Sequence, residues 1–193
     1  MKQINRLLAS LVLGVAMLGA GVPQALAAKE PAVILIVNFQ ALFAESKVGQ
    51  DVNAQVQAQA KTIEENSSKQ LEGFIAEARK LAEQKEVLGV ETYKERIAAL
   101  QKRQQEAQAD ANKKLQALQV GQARAQAEIE AVLKPIFVEV MNRHGGTVML
   151  DQSSVLAGGV DLNVTAEIMQ VLNERLPKLK VTPVDPAELQ KQR

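Results

Sequence analysis

Residues 47–88 read KVGQDVNAQVQAQAKTIEENSSKQLEGFIAEARKLAEQKEVL, and the spacing of apolar and small side chains in this stretch decides the fold. Val52, Val56, Ala60, Ile63, Ser67, Leu71, Phe74, Ala78, Leu81, Lys85 and Leu88 follow one another at steps of three or four. That is the period of one face of an α-helix. From Val52 to Phe74 the stripe repeats every 11 residues, and from Phe74 to Leu88 every 7. The first spacing favours a nearly straight seam, the second a left-handed one. A second stripe follows through Ile97, Leu100, Gln104, Ala107, Ala111, Leu115, Leu118, Gln122, Ala125, Ile129, Val132, Ile136 and Val140. From Ala32 to Lys134 there are 103 residues without proline, rich in Ala, Gln, Glu, Lys and Leu. These are strong helix formers.

Between the stripes lies Val87-Leu88-Gly89-Val90-Glu91-Thr92. Gly89 is suited to end the first helix, and Thr92 to cap the second with Glu95 completing a capping box. Two helices of about 45 residues, each roughly 65–70 Å long, therefore fold back as an antiparallel hairpin over residues 47–143, with its tip at about 87–93. Arms of that length must project from a chain this small. Ser67, Lys85, Gln104 and Gln122 on the seam make the coil weakly packed, and Gly73 and Gly121 each cost about 1 kcal/mol relative to alanine. Pro135 is expected to kink the second arm.

Working outward, the first 27 residues read as an export leader. Lys2 and Arg6 precede an apolar run from Leu7 to Gly21, and Ala25-Leu26-Ala27 supplies the small residues a signal peptidase reads. The run is about 15 residues, short of the roughly 20 that span a bilayer. Cleavage is expected after Ala27. A Cys-free exported chain gains nothing from an oxidising compartment, and export to a bacterial periplasm fits best.

On the far side, Val33-Ile34-Leu35-Ile36-Val37 is a continuous apolar run of strand length, as in a strand covered on both faces. Gly145-Gly146 stops the long helix, Thr147-Val148-Met149-Leu150 reads as a second strand, and Val155-Leu156-Ala157 as a third. Asp161-Leu162-Asn163-Val164-Thr165 opens a helix holding Ile168, Val171 and Leu172, which ends at Pro177. Residues 178–193 read as a flexible tail. The fold class is α+β: a small β-body from residues 28–46 and 144–177, bearing the hairpin. Phe39, Leu42 and Phe43 are expected in the body core. So small a body is marginal by itself, and exposed sheet edges seek partners. Val33, Ile34, Leu35, Ile36, Val37, Val148, Met149, Leu150, Val155 and Leu156 are the candidate oligomerisation core of a dimer or trimer.

Composition removes much else. The 193 residues (20.9 kDa) allow at most two small domains. Aromatic residues are 3% and the formal net charge is +1, or −1 without Lys2 and Arg6. Neither a stacking platform nor a basic field for nucleic acid is present. With no cysteine and one histidine, His144, and no GxxxxGK[ST] phosphate loop, neither a cofactor nor a catalytic or metal site is expected. Asp151 lacks a converging acid, base or nucleophile, so a turn or cap is its expected role.

Taken in order, Ile36-Val37-Asn38-Phe39-Gln40-Ala41-Leu42-Phe43, the small-residue break at Ser46–Gly49, the charged hairpin, Val148-Met149-Leu150-Asp151 and Asp161-Leu162-Asn163-Val164-Thr165 resemble the Skp/OmpH family of periplasmic chaperones. The resemblance implies a jellyfish-like homotrimer, with a β-body built from all three chains and three helical tentacles around a cavity. It also implies an ATP-independent holdase for unfolded outer-membrane proteins. Well-known members are strongly basic, whereas here the charge is local. Residues 79–103 hold seven bases against four acids, a net +3. Three chains would place about +9 at the cavity mouth. Val87, Leu88, Val90, Tyr93, Lys94, Arg96, Lys102 and Arg103 are the candidate client-binding residues at the tip. The family's lipopolysaccharide or membrane-surface binding finds no specific basic cluster in this sequence. The alternative is a periplasmic coiled-coil scaffold or adaptor, although the strands are too few for a lipoyl-like module.

Overall fold

A computed structural model describes residues 31–185. The leader expected over residues 1–27 and the last eight residues of the expected tail lie outside the described residues. Strand β1 (Ile34–Val37) pairs in parallel with β2 (Val148–Asp151), in the register Ile34↔Val148 to Val37↔Asp151. Parallel neighbours need a crossover connection, and here the crossover is the entire hairpin. Leu35, Ile36 and Val37 are buried, as a continuous apolar run requires.

Three short-range devices launch the first arm. Asn38 caps helix α1 (Phe39–Glu45), its Oδ1 accepting from the Ala41 N–H at 2.8 Å, while its own N–H donates to Thr165 Oγ1 at 2.8 Å. Ser46 then adopts extended backbone (φ −65°, ψ 155°), ends α1 and caps helix α2 (Lys47–Glu83), its Oγ accepting from the Gly49 N–H at 3.1 Å. A buried hydroxyl without a partner would be costly, and Ser46, wholly buried, has one. Gly49 lets the two helices touch, because a Cβ there would lie 1.9 Å from the Phe43 carbonyl oxygen. Ser46 and Gly49, the two small residues of this break, are therefore demanded by capping and packing.

At the far end the turn is tighter than the sequence suggests. Helix α2 stops at Glu83, Gln84 turns the chain into one helical turn, α3 (Lys85–Leu88), and Gly89 reverses it at φ 75°, ψ 160°. Helix α4 (Val90–Arg143) starts immediately, with no side-chain cap. Thr92 lies inside its first turn, so the expected Thr92–Glu95 capping box is not used. A single residue in a region open to glycine completes the reversal before Thr92 is reached. At 1.5 Å per residue α2 is about 55 Å long and α4 about 80 Å. Helix α4 runs through Pro135 unbroken to Arg143.

One apolar core joins body and arm. Leu35 and Val37 of β1, Leu42 of α1, Val48 and Val52 of α2, and Leu118, Ala125, Ile129, Leu133, Ile136 and Val140 of α4 pack with Val164, Ile168 and Leu172. The last two belong to helix α5 (Thr165–Arg175). Each such aliphatic side chain contributes about 1.5–3 kcal/mol when removed from water. Phe39 stacks obliquely on Phe43 and Phe137, with centroids 5.1 and 6.0 Å apart. The root of the hairpin is thus part of the body.

Two expectations fail here. Val155-Leu156-Ala157 is not a strand: Gln152–Ser154 forms a short 3-10 turn, and Leu156 is fully exposed. The free edge of β1 is met instead by the approach to α5, through a parallel bridge Ile36↔Asn163 and a Val164 N–H to Ile36 carbonyl bond of 2.9 Å. That edge needed a donor, and residues 163–164 reach it first. The second failure concerns the tail. Residues 178–185, expected to be free, lie extended between α2 and α4, with Val181 buried. No helix among the described residues is long and apolar enough to cross a membrane.

Candidate interaction surface

Along the distal arms the seam is thin. Leu81, Leu100 and Ala111 are buried, but Leu71 and Ile75 remain 47% and 46% exposed. Clefts of about 210 Å³ (around Phe74, Ile97 and Gln104) and 60 Å³ (around Ser67, Leu71 and Ala107) open between the arms. Gln104 borders both, where an aliphatic side chain would have filled the space. Interiors without such gaps are the rule, so this region packs loosely. Leu71 lies on the predicted seam, and Ile75 lies outside it. Ile75, four residues on from Leu71 and next to Phe74, widens the apolar stripe beyond what one partner helix covers. That width was the signal available in the sequence.

The tip residues separate into two groups. Val87 and Val90 are 89% and 62% exposed. Leu88 and Tyr93 are half-buried, and Lys85 Nζ sits 5.6 Å from the Tyr93 ring centroid, so this pair packs the turn. The cations are mostly paired: Lys94 with Glu91 at 3.0 Å, Lys102 with Glu106 at 3.9 Å, and Arg103 with Glu77 across the hairpin. All three pairs are exposed, and such pairs add little stability. Glu77 and Glu106 lie just outside residues 79–103, so counting them leaves seven bases against six acids and a local net charge of +1.

In the body, the candidate oligomerisation residues also divide. Leu35, Ile36 and Val37 fill this chain's own core, Met149 and Val155 are half-buried, and Val33, Ile34, Val148, Leu150 and Leu156 are exposed. Val160, which the sequence did not single out, is exposed as well. An apolar ribbon thus follows the strand pair and its following loop. Ribbons of this kind mark protein contacts.

A charged cluster fastens α4 to α5. Glu139 accepts from Arg143 at 2.7 Å and from Arg175, and Glu167 accepts from Arg143 on one oxygen while its other oxygen meets His144 Nε2 at 2.6 Å. No spacing or motif along the chain signals that His144 and Glu167 meet. Both oxygens of Glu167 are engaged, so the pair acts as a clasp. The hydrogen bond to His144, more than any other contact, holds the Glu167 carboxyl below its ordinary value, and the bond to Arg175 does the same for Glu139. Asp151 is also held low, chiefly by the Ser153 N–H that its Oδ1 accepts at 2.7 Å. It caps a turn. Among the described residues no three acidic or histidine side chains converge as a metal site.

These three carboxylates bind protons less readily in the folded chain than in the unfolded one. Their stabilisation is complete once pH is well above the unfolded glutamate value of about 4.3, and is lost as pH falls through the depressed folded values. Thermal melts followed by circular dichroism should therefore decline modestly below about pH 4, because these carboxylates are largely exposed and solvent screens their pairs. Glu167→Gln should flatten that slope; an unchanged slope would remove Glu167 from the account.

Comparison with known proteins fits this architecture. A family profile described as outer membrane protein (OmpH-like) matches residues 33–172, a span that ends before the extended segment at 178–185. Among solved structures, a candidate outer membrane chaperone (OmpH-like) from Caulobacter crescentus CB15 superposes with a TM-score of 0.77 at 16% identity, covering 82% of this chain and 94% of that one. At that identity the likeness establishes the fold. No curated protein matches the sequence significantly. With both strands, both arms and most of the last helix inside the matched span, the chain belongs to the OmpH-like outer membrane protein family.

Proposed function

We propose that this chain is a periplasmic holdase that binds unfolded outer-membrane β-barrel proteins without ATP, in a cavity between the helical arms of a homotrimer. The observation carrying this reading is the set of uncovered apolar side chains, Leu71 and Ile75 inside α2 and Val87 and Val90 at the tip, on helices whose interior backbone groups are already paired. An unfolded barrel strand has unpaired backbone groups and apolar residues on alternate positions. The distal helices offer it apolar contact without a backbone edge on which to add a strand. Many weak contacts then shield the client without trapping it. The open seam lets the arms bend, and the remaining positive charge at the tips speeds the capture of acidic clients in a salt-dependent way. The exposed ribbon of Val33, Ile34, Val148, Leu150 and Leu156 supports assembly through the body.

Diluting a urea-unfolded outer-membrane barrel protein into the purified mature chain, without nucleotide, should leave it unaggregated at about one trimer per client. Light scattering should give a trimer. Replacing Lys94, Arg96, Lys102 and Arg103 together by Gln should slow capture, most at low salt. Unchecked aggregation, with pull-downs recovering one stable envelope complex, would favour a scaffold or adaptor instead.

A further inference from the structure

The segment after Pro177 is held in a manner that depends little on its own sequence. Its exposure alternates: Leu179 is half-buried and Val181 buried, while Lys178, Lys180 and Thr182 face solvent. Its backbone is read by one row of α2, at positions 51, 55 and 59. Asp51 Oδ2 accepts from the Leu179 N–H at 3.3 Å, and Gln55 Nε2 donates to the Leu179 carbonyl at 2.8 Å. Gln55 Oε1 accepts from the Val181 N–H at 2.9 Å, and Gln59 Nε2 donates to the Val181 carbonyl at 3.2 Å. The row therefore presents acceptor, donor, acceptor, donor, as the edge of a neighbouring strand would. On the other wall, Val184 donates to the Ala117 carbonyl at 2.9 Å, and a Cβ on Gly121 would lie 2.4 Å from the Thr182 carbonyl oxygen. Gly121 costs α4 helical stability, and the clearance it leaves is where the extended chain passes.

We propose that this groove between α2 and α4 is a binding site for extended polypeptide with apolar residues on alternate positions, and that residues 178–185 are its tethered occupant, displaced by an unfolded β-strand. Apart from Asp185, which pairs with Lys113 at 2.8 Å, the contacts require only backbone groups and apolar side chains at i and i+2, which is the pattern of a barrel strand. Beside Pro183 of the occupant the groove opens into an apolar cleft of about 390 Å³, bordered by Ala58, Thr62, Ile63 and Ala117. A short tether holds its ligand at an effective concentration in the millimolar range, so isolated short peptides compete poorly while a long client presenting many strands competes well. The proposal deepens the holdase reading and rests on it for the identity of the displacing ligand.

The probe is a fluorescent eight-residue peptide with the sequence of residues 178–185, followed by anisotropy, beside a permuted peptide whose apolar residues are adjacent. Val181→Asp removes the buried anchor from the occupant and leaves the groove intact; a chain ending at Leu176 removes the occupant altogether. Both should bind the alternating peptide at least tenfold more tightly than the full chain, and prefer it to the permuted one. Adding Gly121→Ala to Val181→Asp should abolish binding while the arm stays helical, since alanine favours the helix. Folded variants that bind no better than the full chain would overturn the proposal. So would loss of arm helicity in both, which would make the segment a permanent structural strand. Aggregation assays on the full chain run alongside: suppression without a peptide response sinks this inference alone, and a peptide response without suppression sinks the holdase reading alone.

Discussion

Gly49→Ala is expected to melt the body well below the temperature of the parent chain. The added methyl would stand 1.9 Å from the Phe43 carbonyl oxygen and 2.7 Å from its carbonyl carbon, where real Cβ contacts essentially never fall below 3.0 Å. The obstacle is backbone, so no side chain can swing aside. Relief requires sliding α1 off α2, which opens the Ser46 cap and uncovers Leu42 and Val48, both fully buried. Overpacking a core typically costs about 1–3 kcal/mol, and a backbone clash belongs at or above the top of that range. For a chain of this size about 3 kcal/mol lowers Tm by roughly 6–12 °C. Gly73→Ala is the control. It lies mid-helix with nothing within 4 Å of the new Cβ, and should instead raise stability by about 0.5–1 kcal/mol. The same substitution then has opposite signs at two glycines of one helix. Equal melting temperatures for the two variants would show that α1 and α2 do not meet as described.

Leu133→Ala should separate folding from binding. Leu133 is fully buried where α4 crosses the body, and such truncations cost about 2–5 kcal/mol through lost burial and the cavity left behind. Leu71→Ala removes the same atoms from a side chain nearly half exposed on the distal arm, and its cost should stay within about 0.5–1 kcal/mol. In the aggregation assay at a temperature where all variants are folded, the order should reverse. Leu133→Ala should protect a client as the parent does, and Leu71→Ala, best combined with Ile75→Ala, should protect it less. Full protection by the doubly truncated arm would remove the mid-arm patch from the binding surface.

What could be read beforehand followed from local periodicity. The stripes through Val52–Leu88 and Ile97–Val140 repeat at helical spacing, which is a property of neighbours three and four apart, and both arms formed on them. The apolar runs at 33–37 and 148–150 gave the strand pair for the same reason. The tip was only half legible. Gly89 was found as the reversal, but Thr92 looked like a cap because capping residues are recognisable before it is known whether a glycine at positive φ will make them unnecessary. The tip cations were legible as charges. Their pairing was not, since Arg103 meets Glu77 only in one register of the two arms.

Sequence by itself therefore determined where this chain is helical, where it reverses, and that its ends form a small apolar body, because each depends on residues close along the chain. Tertiary structure alone decided which apolar residues stay uncovered, how His144 and Glu167 clasp two helices, and that residues 178–185 fill a groove. The partners of that segment, Asp51, Gln55 and Gln59, lie more than 120 positions away. They read as ordinary solvent-facing polar residues until the arms close and turn their side chains into the edge of a missing strand.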